Sequence, residues 1–511
     1  MATLLIAILV IIITAFIIAN FWRPKNLPPT IFPIIPIIGH LYLLKSPLTE
    51  TLANLSARFG PILFLKFGVR NVLIVADPVI TEECFTKTND VIFANRPKLL
   101  FARIVAHNFT NTAWLNYGPV WQNLRKIEAT EFFSADRISQ FYDIRANEGK
   151  VMVQGLLPVS ATSKVANLKA VFGDYCVNNV IMAVAGKRYS ADDLALGRQL
   201  QDIVRDTFAL GNPSNLGDYL PWLKYFGYNK DTEKAMWAIV QRRDSWFANL
   251  LEEFREGKGV LIDKNITMVG VFLKLQAADP EQYPDEFITP VMLNILCDAI
   301  AKCSSTLEWA LALLLNNPRV LKKAQEEIDS IVGTDRLVEE SDLNNLPYLN
   351  CVVKETMRLY PVVPVLVPHE SSEDCVVSGY DIPKGTMLIV NQWGIHRDAL
   401  LWNDPEKFFP ERFELEITPK LKFLPFGFGL RMCPADDLAN PLVGLALALV
   451  IQCFNWERLS DELVDMTEGG GLVLVKAQAL IAKCTPRPIT ESLTSQASIP
   501  KSTPPRPITE C

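Results

Sequence analysis

The residue with the sharpest chemical setting is Cys433. It lies in Phe426-Gly427-Phe428-Gly429-Leu430-Arg431-Met432-Cys433-Pro434-Ala435, just ahead of an apolar run from about 438 to 453. Gly429 permits a tight turn, and Pro434 suits the opening of a helix. A sulfur placed there feels the positive end of the helix dipole, with Arg431 as a cation in the same loop, and both favour the thiolate. A thiolate is a nucleophile or a soft metal ligand, whereas a lone loop cysteine in a plainer context is usually structural. The chain has ten cysteines, none paired as CxxC, and only four histidines, so a zinc site is not expected. The scattered cysteines read as reduced, mostly buried thiols of a cytosol-facing protein.

Two spaced pairs accompany the cysteine. Glu355 and Arg358, in Lys354-Glu355-Thr356-Met357-Arg358, stand about one helical turn apart and can share an ion-pair network. Pairs at that spacing are commonly just solvated. Trp121 and Arg125 fall on one face of a helix.

These groups need a scaffold, and hydrophobic periodicity supplies one. Helical patterns recur over 79–88, 117–133, 136–157, 162–184, 195–210, 231–256, 285–316, 318–332 and 347–359. In the segment opened by Pro318, Val320, Leu321, Ala324 and Ile328 share one face; Lys322, Lys323, Glu326 and Glu327 share the other. GPILFLKFG and NVLIVAD predict a hairpin over 61–76, and further short strands are predicted at 363–367, 375–377, 387–391 and 471–475. The fold class is mainly α with small β-sheets, in a single domain over 38–490.

The ends differ in kind. Ala2 to Ala19 is almost unbroken apolar sequence, Phe21 and Trp22 suit a membrane interface, and Arg23 and Lys25 follow. That pattern predicts a transmembrane anchor over 1–22 with the bulk of the chain on the cytoplasmic side. Pro24, Pro28, Pro29, Pro33 and Pro36 then make a stiff hinge over 23–37. At the other end Arg487-Pro488-Ile489-Thr490-Glu491 recurs as Arg506-Pro507-Ile508-Thr509-Glu510, and 491–511 reads as a disordered tail. A net charge of −6 offers no case for nucleic acid as a partner.

The cysteine loop resembles the F-x-x-G-x-R-x-C-x-G signature of cytochrome P450, the haem-thiolate monooxygenases. Three further matches follow in the family's order: W-x-x-x-R at Trp121 and Arg125, E-x-x-R at Glu355 and Arg358, and the loop Pro410-Glu411-Arg412-Phe413. FANRP (93–97), TLEWAL (306–311), NNP (316–318) and HRD (396–398) are similar to plant microsomal members, among them flavonoid and isoflavone hydroxylases and lignan methylenedioxy-bridge synthases. The resemblance covers about 30–490. It implies the P450 fold and a haem b cofactor (iron protoporphyrin IX), with Cys433 as the axial metal ligand and Trp121, Arg125 and Arg431 against the propionates. Glu355, Arg358 and Arg412 become structural, and His396 a loop residue with no ligand role.

The same resemblance implies a small, mainly apolar plant metabolite as substrate, oxidised by hydroxylation or methylenedioxy-bridge formation. Electrons would come from NADPH through NADPH–cytochrome reductase, since the chain has no dinucleotide-binding glycine fingerprint. Membrane lipid is a further partner, and the location is the endoplasmic reticulum membrane, catalytic domain towards the cytoplasm. Substrate contacts are expected from 100–120, 205–245 and 363–370, with Phe208, Tyr219, Trp222 and Phe226 as aromatic candidates.

One stretch departs from the family. Its long distal helix carries [A/G]-G-x-[D/E]-T-[T/S], whose acid and alcohol relay protons during dioxygen cleavage. The register set by Thr306 to Leu311 puts Asp298-Ala299-Ile300-Ala301-Lys302-Cys303 there, with Ala301 at the acid position and Lys302 at the alcohol position. Sliding Asp298 into the acid position needs a three-residue indel that would rotate the helix by about 60°. Three readings follow: a relay through Asp298, Ser305 or ordered water; a reaction that needs no such relay, as methylenedioxy-bridge-forming members also tend to lack the alcohol; or a degenerate haem-binding copy with little activity. Ala435 in place of the loop's last glycine, and Leu430, are milder departures. A haem-dependent isomerase or dehydratase is the alternative enzyme class, though that group usually carries an altered cysteine loop. Lys302 is expected to turn away or pair with Asp298, or else to approach the metal as a neutral amine.

Overall fold

The computed structural model describes residue 14 and residues 26–161, 164–189, 194–211, 215–415 and 422–490. The anchor expected over 1–22, Thr14 aside, and the tail expected over 491–511 lie outside the described residues.

Helices form most of the domain. The longer ones that matter here are α1 (Pro119–Ile127), α2 (Tyr142–Ala161), α3 (Leu168–Ala185), α4 (Lys230–Glu256), α5 (Asp285–Asn316), α6 (Pro318–Ile331), α7 (Pro347–Leu359) and α8 (Asp436–Cys453). Three of them, α3, α5 and α8, are long and apolar enough to cross a membrane by length and composition. Their hydrophobicity runs round the helix because they form the core: α5 packs against both α3 and α8, and Leu307, Leu311, Leu314, Cys176, Leu447 and Ile451 lie fully buried in one cluster. α6 shows the opposite pattern, burying Leu321, Ala324 and Ile328 on one face and exposing Lys322 and Glu326, while Lys323 and Glu327 pack against the start of α7, where Glu327 accepts the Tyr348 and Leu349 N–H groups. Proline fixes several boundaries, standing at the first turn of α1, α6 and α7, where its missing N–H costs no helical bond.

The sheets are small. β1 (Ile62–Phe67) and β2 (Arg70–Val75) form the expected antiparallel hairpin, Ile62 opposite Val75. β3 is Val165–Asn167, β4 His369–Glu370, β5 Cys375–Val377, β6 Tyr380–Ile382, β7 Met387–Val390, β8 Phe454–Glu457 and β9 Ile481–Pro486. The main sheet has the order β1-β2-β7-β4, with β7 parallel to β2 (Val72 opposite Met387) and β4 antiparallel to β7. A second sheet, β3-β9-β8, ties the chain's middle to its C-terminal part, and β5-β6 is a separate hairpin.

Two predicted strands do not form. The segment 363–367 contains Pro364 and is flanked by Pro361 and Pro368, none of which supplies a ladder donor, and it turns towards a cavity instead. The segment 471–475 makes single hydrogen bonds, Leu474 N–H to the Val362 carbonyl at 2.9 Å and Leu472 N–H to Phe208 at 3.3 Å, with no strand ladder. The helix expected from 162 begins only at Leu168, because 165–167 pair with β9 and Asn167 caps α3. The described part of the proline hinge, 26–37, is laid onto the domain: Phe64 N–H bonds the Pro29 carbonyl at 2.8 Å, and Ile31 and Ile34 are buried.

Candidate active site

The cysteine loop is held from behind by a buried ion-pair network. On α7 Glu355 accepts from Arg358 at 2.7 and 2.9 Å, and Arg412 Nε reaches Glu355 Oε1 at 3.0 Å. Arg358 and Glu355 are fully buried and Arg412 nearly so. Their remaining donors go to carbonyls: Arg358 to His396 at 2.6 Å, and Arg412 to Asn403 at 2.7 Å. A buried charge cluster persists only when every lone pair and proton is matched in this way. His396 extends the network to the loop, because its Nε2 accepts the Leu424 N–H at 3.1 Å, two residues before Phe426. Burial and the neighbouring arginines push the His396 imidazole down to about 3, so it stays neutral and able to accept.

From there the chain turns through Gly427 (φ 77°) and Gly429 (φ 72°). At Gly429 a side chain is excluded twice over, since a Cβ would lie 2.6 Å from the Asp90 carboxylate, which accepts the Leu430 N–H. Cys433 N–H closes the turn on the Phe426 carbonyl at 2.9 Å, and α8 begins three residues later. Burial pushes the Cys433 thiol up, and the Ala435 N–H and the Lys302 ammonium oppose that rise only in part. Arg431 does not play the part expected of it here. It directs its donors to the carbonyls of Ala94, Thr112 and Leu115, away from the sulfur, and the cation acting on Cys433 is Lys302.

Cys433 lines a large, mainly apolar cavity between the loop and α5, shared by Trp121, Arg125 and Arg431. One end of it concentrates positive charge. Arg125 donates to the Met432 carbonyl at 3.0 Å, Arg431 lies over the Trp121 ring with its guanidinium carbon 4.4 Å from the centroid, and Arg96 donates to Ala113 and Val367. Burial, then Arg125, lowers the Arg431 guanidinium to about 9, and Arg96 is lowered by burial and by Arg431. Three guanidinium groups with a single carboxylate, Glu128, among them form a cradle with positive charge in excess, which a pair of carboxylates would satisfy. His369 stands at the same end, its Nδ1 2.7 Å from the Phe93 carbonyl, and burial keeps its imidazole neutral. Arg96 was not singled out in the sequence, although it sits inside FANRP; His369 falls within the 363–370 segment expected to line the pocket, but not as part of an anion cradle.

The opposite wall is α5. Asn294, Asp298, Ala299, Lys302 and Thr306 line the cavity, so the register places Lys302 inward. Lys302 does not turn away: its Nζ pairs with Asp298 Oδ1 at 3.2 Å, and Asn294 donates to Asp298 Oδ2 at 3.3 Å. Ser305, expected as a relay group, is not among the lining residues. It is buried, its hydroxyl donates to the Leu474 carbonyl at 2.8 Å, and that segment covers its side of the helix. The expected aromatic contacts also lie elsewhere. None of Phe208, Tyr219, Trp222 and Phe226 lines the cavity; Tyr219 packs edge-on against Phe67 under the hairpin, and Phe226 is 81% exposed. Of the three expected segments, 100–120 supplies Thr112 and Ala113, and 363–370 supplies Val363, Leu366, Val367 and His369.

A half-buried loop cysteine, a guanidinium cradle and a facing helix thus meet at one cavity. The sequence profile of the family described as Cytochrome P450 matches residues 29–482. The chain belongs to the cytochrome P450 family. Relatives include the (+)-piperitol/(+)-sesamin synthase of Sesamum radiatum, 42% identical with 93% of each chain covered. Another is the isoflavone 3'-hydroxylase of Medicago truncatula, 39% identical, covering 92% of this chain and 95% of that one. Among solved structures, a zebrafish cytochrome P450 with abiraterone superposes with a TM-score of 0.72 at 26% identity, covering 86% of this chain and 100% of that one. This P450 is therefore a monooxygenase, an oxidoreductase with iron protoporphyrin IX as cofactor, acting on a small molecule with electrons from a redox partner. The residues present fit that group: the loop cysteine Cys433 for the metal, and a cradle whose three guanidinium groups, offset only in part by Glu128, suit its two propionates.

Proposed function

We propose that this P450 oxidises a small, largely apolar aromatic plant metabolite by hydroxylation or methylenedioxy-bridge formation. Its electrons come from NADPH through NADPH–cytochrome reductase, at the endoplasmic reticulum membrane with the catalytic domain towards the cytoplasm. The observation that carries the proposal is the convergence of Cys433, the arginine cradle and the α5 ion pair on one mostly apolar cavity. Relatives named for lignan and isoflavone oxidation support the substrate class.

The haem supplies two-electron activation of dioxygen when bound. Cys433 would be its metal ligand, its half-buried sulfur steadied by the Ala435 N–H and its loop by the His396–Leu424 link. Trp121, Arg125 and Arg431 would hold the propionates, and Arg96 and His369 line the same end of the cavity. On the facing helix Asp298 is the carboxylate that holds and moves a proton, in place of the acid missing at Ala301. Its salt bridge to Lys302 fixes it on the cavity face, and Thr306 keeps its own hydroxyl on the Lys302 carbonyl at 2.9 Å. A degenerate haem-binding copy is less well supported, because the Glu355–Arg358–Arg412 ion pairs behind Cys433 are intact.

Membrane contact extends beyond the anchor. Trp222, Tyr225 and Phe226 are exposed beside Ile37 and Val69, and the patch is joined to the hinge by Val69 N–H to the Tyr219 carbonyl at 2.9 Å and Gly68 N–H to the Ile38 carbonyl at 3.1 Å. Exposed aromatics next to the chain's entry into the domain suit a lipid surface.

The test is turnover in membranes containing the full chain and a plant NADPH–cytochrome reductase, with a panel of phenolic lignans and isoflavones. The expected product gains one oxygen on hydroxylation or loses two hydrogens on bridge formation, and needs both NADPH and reductase. An isomerised or dehydrated product formed without reductase would replace this reading with the isomerase or dehydratase one.

A further inference from the structure

Glu128 is a buried carboxyl in the cradle with no role in the chemistry described so far. It follows α1 directly and opens a π-helical turn, Glu128–Phe132, a local widening of the helix that re-aims the side chains entering it. The residue is 1% exposed and lines the cavity. Its Oε1 accepts the Thr112 hydroxyl at 2.6 Å, and its Oε2 lies 3.5 Å from Arg125 Nη1. The Thr112 carbonyl in turn accepts from Arg431 and from the Trp121 indole, so Glu128 is tied to the groups that face the propionates. Burial raises its carboxyl, while Thr112, Arg125 and Arg431 oppose that rise.

Charge gives this placement a consequence. Arg96, Arg125 and Arg431 bring three positive charges to this end of the cavity, Glu128 brings one negative charge, and two propionates would bring two more. Carboxylates around the same guanidinium groups compete for them, and in a dry site they also repel one another.

We propose that Glu128 is a resident anion in the cradle, weakening the grip on the haem carboxylates by competing with them for Arg125 and Arg431. It sets how readily the cofactor is released, as a binding residue of negative sign. The proposal rests on the haem assignment and not on the substrate.

Glu128→Gln keeps the shape and the acceptor for Thr112 but removes the charge; Glu128→Met removes the charge in a second way, so misfolding of one variant does not decide the outcome. Haem transfer from the detergent-solubilised, full-length holoprotein to excess apomyoglobin is followed by absorbance, once with haem and once with its dimethyl ester, whose propionates carry no charge. The expected result is several-fold slower loss of haem from both variants than from the parent, and equal rates for all three with the ester. Faster loss from the variants, unchanged rates with haem, or the same slowing with the ester would each overturn the proposal. Faster loss would make Glu128 a prop for Arg125, and an equal effect with both haems would make its action steric.

Discussion

The two walls of the haem cavity are built on opposite terms. Behind Cys433, Glu355, Arg358 and Arg412 are buried, and their charges are matched by one another and by backbone carbonyls. Across the cavity, Asp298 and Lys302 form one ion pair on a helix face that is about a third open, with side chains 28% and 33% exposed. A substitution in the first wall strands a charge in the core. In the second, the chain can exchange an acid and an alcohol for alanine and lysine while α5 keeps its length and packing. Family motifs therefore persist on the wall where loss would unfold the protein, and the departure falls where loss alters chemistry only.

The contrast is broken most directly by emptying one partner on each side. Arg358→Ala strips Glu355 of its bidentate partner, leaving Arg412 alone against it in the core, and is expected to cost about 3–5 kcal/mol of stability, with loss of bound haem as the Leu424 anchor loosens. Lys302→Ala, by contrast, is expected to change stability by about 1 kcal/mol or less, because a half-open pair is screened by solvent. Chemical unfolding and haem content measure both; similar costs on the two sides would erase the distinction.

A smaller effect sharpens the chemistry of the second wall. Ala301→Asp with Lys302→Thr restores the family pattern, and should raise the fraction of NADPH consumption that ends in product while lowering peroxide release. Stability should barely move. If neither coupling nor the resting absorption spectrum responds, 298–303 is not the oxygen-facing stretch and the register of α5 is wrong. The smallest effect belongs to the outer surface. In a form lacking residues 1–22, replacing Trp222, Tyr225 and Phe226 by serine should increase the fraction released from membranes by a carbonate wash. Complete release before those replacements would remove the second lipid contact.

Local pattern was enough for much of this molecule. The spans 285–316 and 347–359 match the helices residue for residue because Pro284, Pro318 and Pro347 punctuate continuous periodicity. It failed where pairing is distant or where another segment covers a face. β3 and β9 join residues more than 300 positions apart, which no window of sequence displays. Val362 to Val367 has the composition of a strand, yet its prolines deny it a ladder. Ser305 has suitable spacing from Asp298, but the Leu474 carbonyl occupies its hydroxyl. Arg96 and His369 lie in stretches that the sequence marked, FANRP and 363–370, but their place in the cradle, like that of Glu128, appears only once the chain is closed around the cavity.

Thiolate ligation by Cys433 is tested most directly by the carbon-monoxide difference spectrum of the reduced full-length protein beside its Cys433→Ala variant. The expected result is the red-shifted Soret band characteristic of a thiolate-ligated haem in the parent and its absence in the variant. The same red-shifted band in Cys433→Ala would contradict the assignment, and with it the account of both walls.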